Sequence, residues 1–310
     1  MTRNLTTVDA VTQITPPQSN IENDHSRIRL SRRPQSDQRT VDEICHHYAV
    51  ERELSDQLRH SSKEDRQQLY SSLYDEIYKR VPNIPGWNVP LPPDALRRST
   101  ENKVKFLTQV AAADATYLEI GPGDCSVSLA MAEKVGKVIA VDVSTEITRG
   151  LPTPDNFEII ISDGTSIDVP EQSVDVAYSN QLMEHLHPDD ALEQLQNVFR
   201  SLKPGGSYIC VTPNKLSGPH DVSKYFDDAP TGFHLKEYST TELAKIFRNA
   251  GFARVNPYIW VKERLFVLPL LPVQVLESVL NWMPGRLRRH LCNRSPINHI
   301  LGRVIAVRPR

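Results

Sequence analysis

Short apolar runs alternate with segments of helical period from Thr116 to the C-terminus. The first five runs read YLEIG, KVIAVDVS, FEIIISDG, VDVAYSN and SYICVTP. They are rich in β-branched residues and almost continuously apolar, as strands are when helices cover both faces of a sheet. Two further strands are expected near residues 253–261 and 303–308. The alternation predicts an α/β fold with a doubly wound, mostly parallel, seven-stranded sheet.

A helical pattern precedes this region. The sequence Thr40-Val41-Asp42-Glu43 has the form of a capping box and predicts a helix that runs to about His60. In the next helix, apolar residues recur every fourth position beside a flank of tyrosines: Leu69, Leu73, Ile77 and Val81, with Tyr70, Tyr74 and Tyr78. The proline-dense segment VPNIPGWNVPLPP interrupts the pattern, and a third helix is expected over about residues 100–112.

These patterns divide the chain into three parts. Residues 1–39 are polar without a period, which predicts a disordered tail. Residues 40–98 form a helical extension with a proline-rich linker, which we expect to act as a lid over a pocket. Residues 99–310 form the main domain, with a lid loop over 214–238 and a helical insert over 263–300. A loop of that length in a compact domain usually borders a ligand site.

The amino-acid composition disfavours several classes of function for this chain. The 310 residues are 39% hydrophobic and carry a net charge of −2, so no global basic field indicates nucleic acid. The four cysteines form no Cys-x-x-Cys pair, which disfavours a disulfide framework and a zinc knuckle. Residues 1–30 contain no apolar run typical of a secretory signal, and a cytoplasmic location is expected.

The first predicted strand ends in a glycine turn, Glu119-Ile120-Gly121-Pro122-Gly123-Asp124. Two glycines allow a nucleotide-type cofactor to approach the backbone closely. Pro122 removes an N–H donor, and Asp124 adds a carboxylate where a helix start would otherwise attract a pyrophosphate. This chemistry disfavours a nicotinamide-dependent oxidoreductase. It favours S-adenosylmethionine, whose sulfonium and ammonium groups are cationic.

Polar residues also end the next three strands. Asp142 ends the second strand and could accept hydrogen bonds from ribose hydroxyls. Asp163 and Gly164 end the third, where a carboxylate could accept from an adenine amino group while glycine leaves room for the ring. Asn180 ends the fourth. Because ligands of doubly wound sheets bind at the carboxyl ends of the strands, these residues predict a nucleoside site.

The segment from Tyr117 to Asn214 resembles the class I S-adenosylmethionine-dependent methyltransferases of bacterial type. The matching motifs are YLEIGPGDCSVSLA, VIAVDVS, ISDG, SVDVAYSNQLMEHL and LKPGGSYICVTPN. The resemblance implies a Rossmann-like fold and S-adenosylmethionine as cofactor. It also implies which residues hold each part of the cofactor: Glu119, Gly121 and Gly123 the methionine part, Asp142 the ribose, and Asp163 the adenine amino group. Asn180 would line the path of the methyl group.

The resemblance implies methyl transfer to a small-molecule acceptor, and we expect O-methylation assisted by a base. The candidate bases or orienting groups are His185, just after the fourth strand, and His220 and His234 in the lid loop. Glu184 and His187 lie beside the first of them. Two alternatives stay open. One is C- or N-methylation of a quinone, a lipid-linked compound or a secondary metabolite, and the other is a module that binds the cofactor without turnover.

A metal site is not expected. Some O-methyltransferases that act on polyprenyl catechols hold a divalent cation with the motif E-x-x-E-H. This chain has Gln181-Leu182-Met183-Glu184-His185, in which an amide replaces the first acid. An amide is a weaker ligand for a hard cation than a carboxylate, and no third ligand is evident from the spacing.

The last segment of the chain is basic. From Arg286 to Arg310 there are seven arginines and no acids. Together with the apolar stretch near 265–276, this run could make a peripheral contact with an anionic membrane. The patterns favour no particular oligomeric state.

Overall fold

The computed structural model describes residues 30–31, 37–85, 89, 92–144, 150 and 154–310. Most of the predicted tail over 1–39 lies outside these ranges. So do part of the proline-rich connector and a short helix that the pattern predicts after the second strand. None of the helices in the described ranges combines the length and the apolar character that a bilayer crossing requires.

Eight strands of the described chain form one sheet: β1 (Thr116–Ile120), β2 (Lys137–Asp142), β3 (Phe157–Ile161), β4 (Val174–Asn180), β5 (Leu202–Val211), β6 (Arg254–Val261), β7 (Arg264–Val267) and β8 (Arg303–Val307). Their order across the sheet is β3-β2-β1-β4-β5-β8-β6-β7. Strands β1 to β5 run parallel, whereas β8 pairs antiparallel with β5 and β6. The predicted α/β class with a doubly wound, mostly parallel sheet is confirmed.

The described helices flank this sheet: α1 (Val41–His60), α2 (Lys63–Arg80), α3 (Pro93–Leu107), α4 (Ser126–Ala132), α5 (Pro188–Ser201), α6 (Thr240–Asn249), α7 (Leu270–Asn281), α8 (Gly285–Cys292) and α9 (Ile297–Ile300). The capping box predicted at the start of α1 is present. Thr40 accepts the N–H of Glu43, whose carboxylate accepts the N–H of Thr40. This exchange satisfies two donors that a helix start leaves unpaired.

The sheet has eight strands rather than the predicted seven, because the expected helical insert over 263–300 begins with a strand. β7 forms an antiparallel hairpin with β6. The turn residues Lys262 and Glu263 both have positive φ, 50° and 58°. Two-residue hairpin turns of this kind usually contain asparagine or glycine. Neither is present here, so the sequence carried no turn signal.

The third helix starts earlier than predicted. Its bounds are Pro93–Leu107 instead of about residues 100–112. Proline is compatible with the first helical position, where the N–H would have no partner within the helix. Pro93 therefore begins the helix that the proline-dense segment was expected to prevent.

Apolar residues on the two faces of the sheet form separate cores. In β1, Tyr117 packs among residues of α3 and α4, whereas Leu118 and Ile120 belong to the core shared with α5 and α6. This alternation explains the nearly continuous apolar character of the strands, since both faces are covered. The polar residues that end the strands lie at the carboxyl edge of the sheet.

A buried ion pair fixes the hairpin of α1 and α2 to the main domain. Arg66 of α2 donates to both carboxylate oxygens of Asp190 in α5, at 2.7 and 2.6 Å. Both residues are buried. The hydroxyl of Tyr70 donates to the same carboxylate and accepts the N–H of His187. Such a bidentate pair sets the orientation of α2, and losing one partner would leave an uncompensated charge.

We predict that Arg66→Met destabilises the protein by about 3–5 kcal/mol, because Asp190 then stays buried without its counter-charge. Denaturant unfolding measures the loss. Arg97→Met is the matched control, since Arg97 and Glu101 form an exposed pair whose loss should cost at most about 1 kcal/mol. Equal losses in the two variants would contradict the role assigned to the buried pair.

Candidate functional site

The strand order reverses between β1 and β4, which opens a crevice at the carboxyl edge of the sheet. The glycine turn after β1 lies at this crevice. Gly121 and Gly123 have positive φ, 67° and 56°, a conformation that favours glycine. A Cβ atom placed on Gly123 would meet nothing within 4 Å, so the backbone there borders open space. The turn thus has the close-approach geometry that a cofactor needs.

The Asp124 carboxylate lies at the start of the helix that follows the turn. Its Oδ1 atom accepts the N–H of Ser126 at 3.0 Å, at the start of α4. The carboxylate therefore occupies the position in which a phosphate would bind a helix N-terminus. This placement agrees with the sequence argument against a pyrophosphate cofactor.

Glu119 lies under the turn and is only 4% exposed. The hydroxyl of Ser128 donates to its carboxylate. Burial raises the pKa of Glu119 from 4.5 to about 7, because the charged form loses its hydration. Few groups of the protein itself thus stabilise the charged form of Glu119. A bound cationic ligand would stabilise that form.

Asp142, at the end of β2, lies against the same turn. Its carboxylate accepts the N–H of Ser144 at 3.0 Å and the N–H of Gly123. Burial raises the pKa of Asp142, although these hydrogen bonds oppose the shift. The side chain is therefore positioned at the edge of the crevice with a defined orientation.

Asp163 and Gly164 have partners within the protein. The Asp163 carboxylate accepts the N–H groups of Thr165 and Ser166, at 2.8 and 2.7 Å, and the side chain of Gln67 at 2.9 Å. Although partial burial opposes it, these hydrogen bonds lower the pKa of Asp163. A Cβ atom on Gly164 would lie 2.6 Å from the ring of Tyr70. Gly164 thus admits an aromatic ring of α2, a contact that sequence reasoning did not foresee.

The tyrosines of α2 face the carboxyl edge. Tyr74 stacks on Phe233 of the lid loop, with ring centroids 5.4 Å apart, and meets His185 edge-on at 6.0 Å. Burial and the nearby charge of Asp142 raise the pKa of Tyr78. The aromatic flank that the sequence placed beside the apolar stripe of α2 therefore covers part of the site.

Asn180 lies where β4 ends, paired with Val211 of β5 and partly exposed. The next residue, Gln181, has a positive φ of 59° and an exposed side chain. The chain then turns into a short 3-10 segment, Met183–His185. Leu182 packs against the glycine turn, within 3.1 Å of a Cβ atom placed on Gly121. The segment after β4 is thereby held next to the cofactor turn.

Two of the three candidate histidines lie together. The rings of His185 and His234 meet edge to face with centroids 4.9 Å apart. His185 Nδ1 lies 3.0 Å from the carbonyl oxygen of Phe233, and burial lowers the pKa of His185 to about 3. The Nδ1 atom of His220 lies 3.1 Å from Glu237, and its Nε2 atom lies 3.1 Å from Ser217 Oγ. The structure thus brings the rings of His185 and His234 into contact, whereas His220 is linked to His234 through Glu237.

Glu237 joins the two histidines of the lid loop. Its carboxylate accepts the N–H of His220 at 2.7 Å and contacts His234 Nδ1 at 2.8 Å. Although burial opposes ionisation, the hydrogen bonds from His220 and His234 lower the pKa of Glu237 to about 2. Burial alone would lower the pKa of His234, but its bond to Glu237 raises it to about 8. Sequence reasoning missed Glu237, because one acid in a mixed polar loop gives no distinctive spacing.

Helix α1 holds the lid loop in place. Arg59 donates to the carbonyl oxygens of Gly232, His234 and Leu235. Glu51 accepts the N–H of Phe233 at 3.2 Å. These contacts join residues that are more than 170 positions apart in sequence, so they depend on the tertiary fold. They fix the backbone on both sides of His234.

Glu184 completes the group of titratable side chains near the edge. It is fully buried, and its Oε2 atom accepts the hydroxyl of Thr212 at 2.8 Å. Burial raises the pKa of Glu184 to about 6. Ligand atoms of Glu184, His185 and His234 lie within 4.8 Å of one another, close enough to surround a metal ion. His234, which the fold brings back from the lid loop, is therefore a potential third ligand that the spacing did not show.

A family model described as a methyltransferase domain matches residues 95–256, more than half of the chain. The chain belongs to the class I S-adenosylmethionine-dependent methyltransferases. Its match to a probable S-adenosylmethionine-dependent methyltransferase of Mycolicibacterium smegmatis is 34% identical over 84 residues, 27% of this chain and 30% of that protein. A probable methyltransferase of the same class from Mycobacterium tuberculosis is 28% identical over 139 residues, 44% of this chain and 48% of that one.

Other similarities are more distant. Phosphoethanolamine N-methyltransferase 1 of Zea mays is 27% identical over 148 residues, 44% of this chain and 28% of that protein. The methyltransferase thus spans less than half the length of the curated relatives it matches. Among solved structures, YcgJ of Bacillus subtilis gives a TM-score of 0.44 at 19% identity, covering 69% of this chain and 99% of that one.

S-adenosylmethionine is the cofactor of this methyltransferase. The residues present fit that group, because the backbone at Gly123 borders open space and the buried carboxylates of Glu119 and Asp142 flank it. Negative charge beside a glycine turn suits a sulfonium and an ammonium group and repels phosphate. The Rossmann-like fold that the motifs implied is confirmed.

We predict a pH-dependent stability difference between wild type and Glu119→Gln. The folded protein binds the proton of Glu119 more tightly than the unfolded chain, so this group's stabilisation is fully present below pH 4.5 and is lost as pH rises through about 7. The amide keeps an acceptor for Ser128 and does not ionise. From about pH 5 to about pH 8 the variant should gain about 3 kcal/mol relative to wild type.

Denaturant unfolding at several pH values measures this difference. Glu158→Gln, at an exposed position of β3, is the matched control and should show no such trend. A difference between wild type and Glu119→Gln that stays constant with pH would show that burial does not perturb Glu119.

Proposed function

We propose that this protein transfers the methyl group of S-adenosylmethionine to a hydroxyl oxygen of a small-molecule acceptor. The observation that supports it most is the position of the paired rings of His185 and His234. His185 lies on the segment after β4, whose Leu182 packs against the glycine turn, and His234 lies on the lid loop. Methyl transfer needs orientation of the acceptor above all, since the cofactor carries the activated group.

The cofactor roles follow the contacts at the carboxyl edge. We assign the methionine part to Glu119, Gly121 and Gly123, and the ribose to Asp142. The open space at Gly123 and the burial of both acids support this assignment. The assignment of the adenine amino group to Asp163 and of the ring's place to Gly164 stays a prediction, because both have partners in α2. Asn180 would line the methyl path.

The histidines take different roles in the proposal. His185 and His234 orient the acceptor hydroxyl, and Glu237 holds His234 through its Nδ1 atom. His220 is a positioning residue, because it contacts Glu237 and Ser217 rather than the other two histidines. The tyrosines of α2 and the lid loop exclude water from this region, which strengthens electrostatic interactions there. The lid role of the extension over residues 40–98 belongs to the same proposal.

N-methylation is the second candidate, since one relative is named a phosphoethanolamine N-methyltransferase. The two reactions give different products, a methyl ether and a methylated amine. A protein that binds the cofactor without turnover would give neither.

Transfer of a labelled methyl group to a metabolite extract tests the proposal. We expect label in a small molecule whose new bond is a methyl ether. Asp142→Asn should weaken S-adenosylmethionine binding about 10- to 100-fold, because it loses hydrogen bonds to a charged group. Asp114→Asn, an exposed acid before β1, is the matched control and should bind normally. A labelled amine would favour the second candidate, and cofactor binding without labelled product would contradict both.

We also propose that the C-terminal insert contacts an anionic lipid surface. Helix α7 exposes an apolar stripe at every fourth position, continued by an almost fully exposed tryptophan: Leu271, Val275, Val279 and Trp282, with 70%, 56%, 53% and 91% exposure. Arg286 and Arg294 are exposed nearby, in or just after α8. An apolar face with tryptophan beside basic residues is typical of helices that lie in a membrane interface.

This surface also neighbours the lid loop. A cavity of about 330 Å³ is lined by Leu235 and Glu237 of the lid loop, Asn281 of α7 and Arg288 of α8. Arg289 pairs with Asp228 of the lid loop at 2.9 Å. Contact with a lipid surface would therefore bring a lipophilic acceptor close to the lid loop.

We predict co-sedimentation of the protein with vesicles that contain phosphatidylglycerol, but not with vesicles of phosphatidylcholine alone. Added salt should weaken the binding, because screening reduces the attraction of the arginines. Leu271→Ser with Trp282→Ser should abolish it, whereas Val261→Ser, at the exposed end of β6, is the matched control. Unchanged sedimentation of the double variant, or a dimer that depends on Trp282, would contradict the lipid contact.

A further inference from the structure

Three potential metal ligands converge from two separate segments of the chain. Glu184 and His185 belong to the 3-10 segment after β4, and His234 belongs to the lid loop. One carboxylate oxygen and one nitrogen of each imidazole lie within 4.8 Å of one another. Small adjustments of these side chains would bring all three atoms to metal-ligand distance, about 2.0–2.2 Å from a common centre.

Each of the three side chains has an outer partner that orients it. The carbonyl oxygen of Phe233 can only accept, so His185 carries its proton on Nδ1 and presents Nε2 as the basic nitrogen. Glu237 engages His234 Nδ1 in the same way. Metal-binding histidines almost always donate their other ring N–H to a carbonyl or carboxylate. Both histidines therefore have the outer hydrogen-bond partner that is typical of metal-bound histidines.

Glu184 provides an independent observation. Its Oε2 atom accepts the hydroxyl of Thr212, but Oε1 is buried and has no hydrogen-bond partner. A buried carboxylate oxygen without a partner is costly, because it has lost its hydration and gained nothing in exchange. A cation bound to this oxygen would remove that cost.

The surrounding charge also favours a cation. Four buried carboxylates lie around His234: Glu51, Glu184, Asp221 and Glu237, each at most 8% exposed. Glu51 and Asp221 both approach Gly232, two residues before His234. The guanidinium of Arg59 contacts carbonyl oxygens of this segment rather than these carboxylates. His47 pairs with Glu51, and His220 and His234 pair with Glu237. Glu184 and Asp221 have no ion-pair partner among the described residues, and a buried charge needs compensation by opposite charge or by protonation.

We propose that Glu184, His185 and His234 form a binding site for a divalent first-row transition metal. Two imidazoles and one carboxylate are the ligand set of many zinc and non-haem iron sites, whereas magnesium and calcium prefer oxygen ligands. This set leaves coordination positions for a further oxygen ligand. Gln181, which replaces the first acid of the E-x-x-E-H motif, is exposed and takes no part.

The site also suggests how the histidines act on the acceptor. A hydroxyl oxygen bound to a divalent cation becomes a stronger acid, and the cation fixes its position. This part of the inference rests on the proposed O-methylation. The metal site itself does not, because it depends only on the geometry and charge of the three ligands and their partners.

Titration of the metal-free protein with Co²⁺ tests the site. We expect one equivalent to bind, with visible absorption bands typical of mixed nitrogen and oxygen coordination. Glu184→Gln should lower the affinity at least about tenfold, since it removes the only anionic ligand. The amide retains an acceptor for Thr212, so the variant should fold. His60→Ala, an exposed histidine at the end of α1, is the matched control and should bind Co²⁺ as wild type does.

Thermal unfolding with and without Zn²⁺ gives a second readout. Zn²⁺ should raise the Tm of wild type and His60→Ala, but not that of Glu184→Gln. Equal Co²⁺ affinity in wild type and Glu184→Gln, or no binding by wild type, would overturn the proposal. Calorimetric titration with S-adenosylmethionine in the same variants keeps the two proposals apart, because loss of the metal site alone should leave cofactor binding in place.

Discussion

Buried negative charge at the carboxyl edge of the parallel sheet is the constraint on which the rest of the structure depends. Glu119 and Asp142 lie beside the glycine turn, and Glu184 and Glu237 lie a few residues beyond the end of β4 and in the lid loop. A carboxylate that has lost its hydration must be hydrogen-bonded, protonated or paired with a cation. Both carboxylate oxygens of Glu237 have hydrogen-bond partners, whereas Oε1 of Glu184 has none. Burial raises the pKa of Glu119, Asp142 and Glu184, and a cationic ligand would favour their charged forms.

The N-terminal hairpin packs against this edge. Arg66 and Tyr70 of α2 bind the start of α5, and Arg59 of α1 holds the backbone of the lid loop. Without these contacts the carboxylates would face water, where their pKa values would return toward ordinary values. The extension therefore contributes to the chemistry of the site, although it lies outside the matched methyltransferase region over residues 95–256.

Local patterns predicted the sheet, the capping box of α1 and the acids at the strand ends, because each depends on residues close in sequence. Asp142 and Asn180, for example, lie at the carboxyl edge because each is the last residue of its strand. The ion pair of Arg66 with Asp190 joins residues 124 positions apart, and Tyr70 against Gly164 depends on the same docking. Such contacts arise from tertiary packing, so no regular spacing of residues along the sequence indicates them. The β6–β7 turn was missed for a different reason. Lys262 and Glu263 both have positive φ, which lysine and glutamate rarely adopt.

The acids beside the glycine turn should select ligands by charge, and a comparison of the binding of two coenzymes measures that selection directly. Calorimetric titration of the purified protein with S-adenosylmethionine and, separately, with NAD⁺ provides the comparison. We expect saturable heat with S-adenosylmethionine and none with the pyrophosphate coenzyme. Saturable binding of NAD⁺ without binding of S-adenosylmethionine would contradict it.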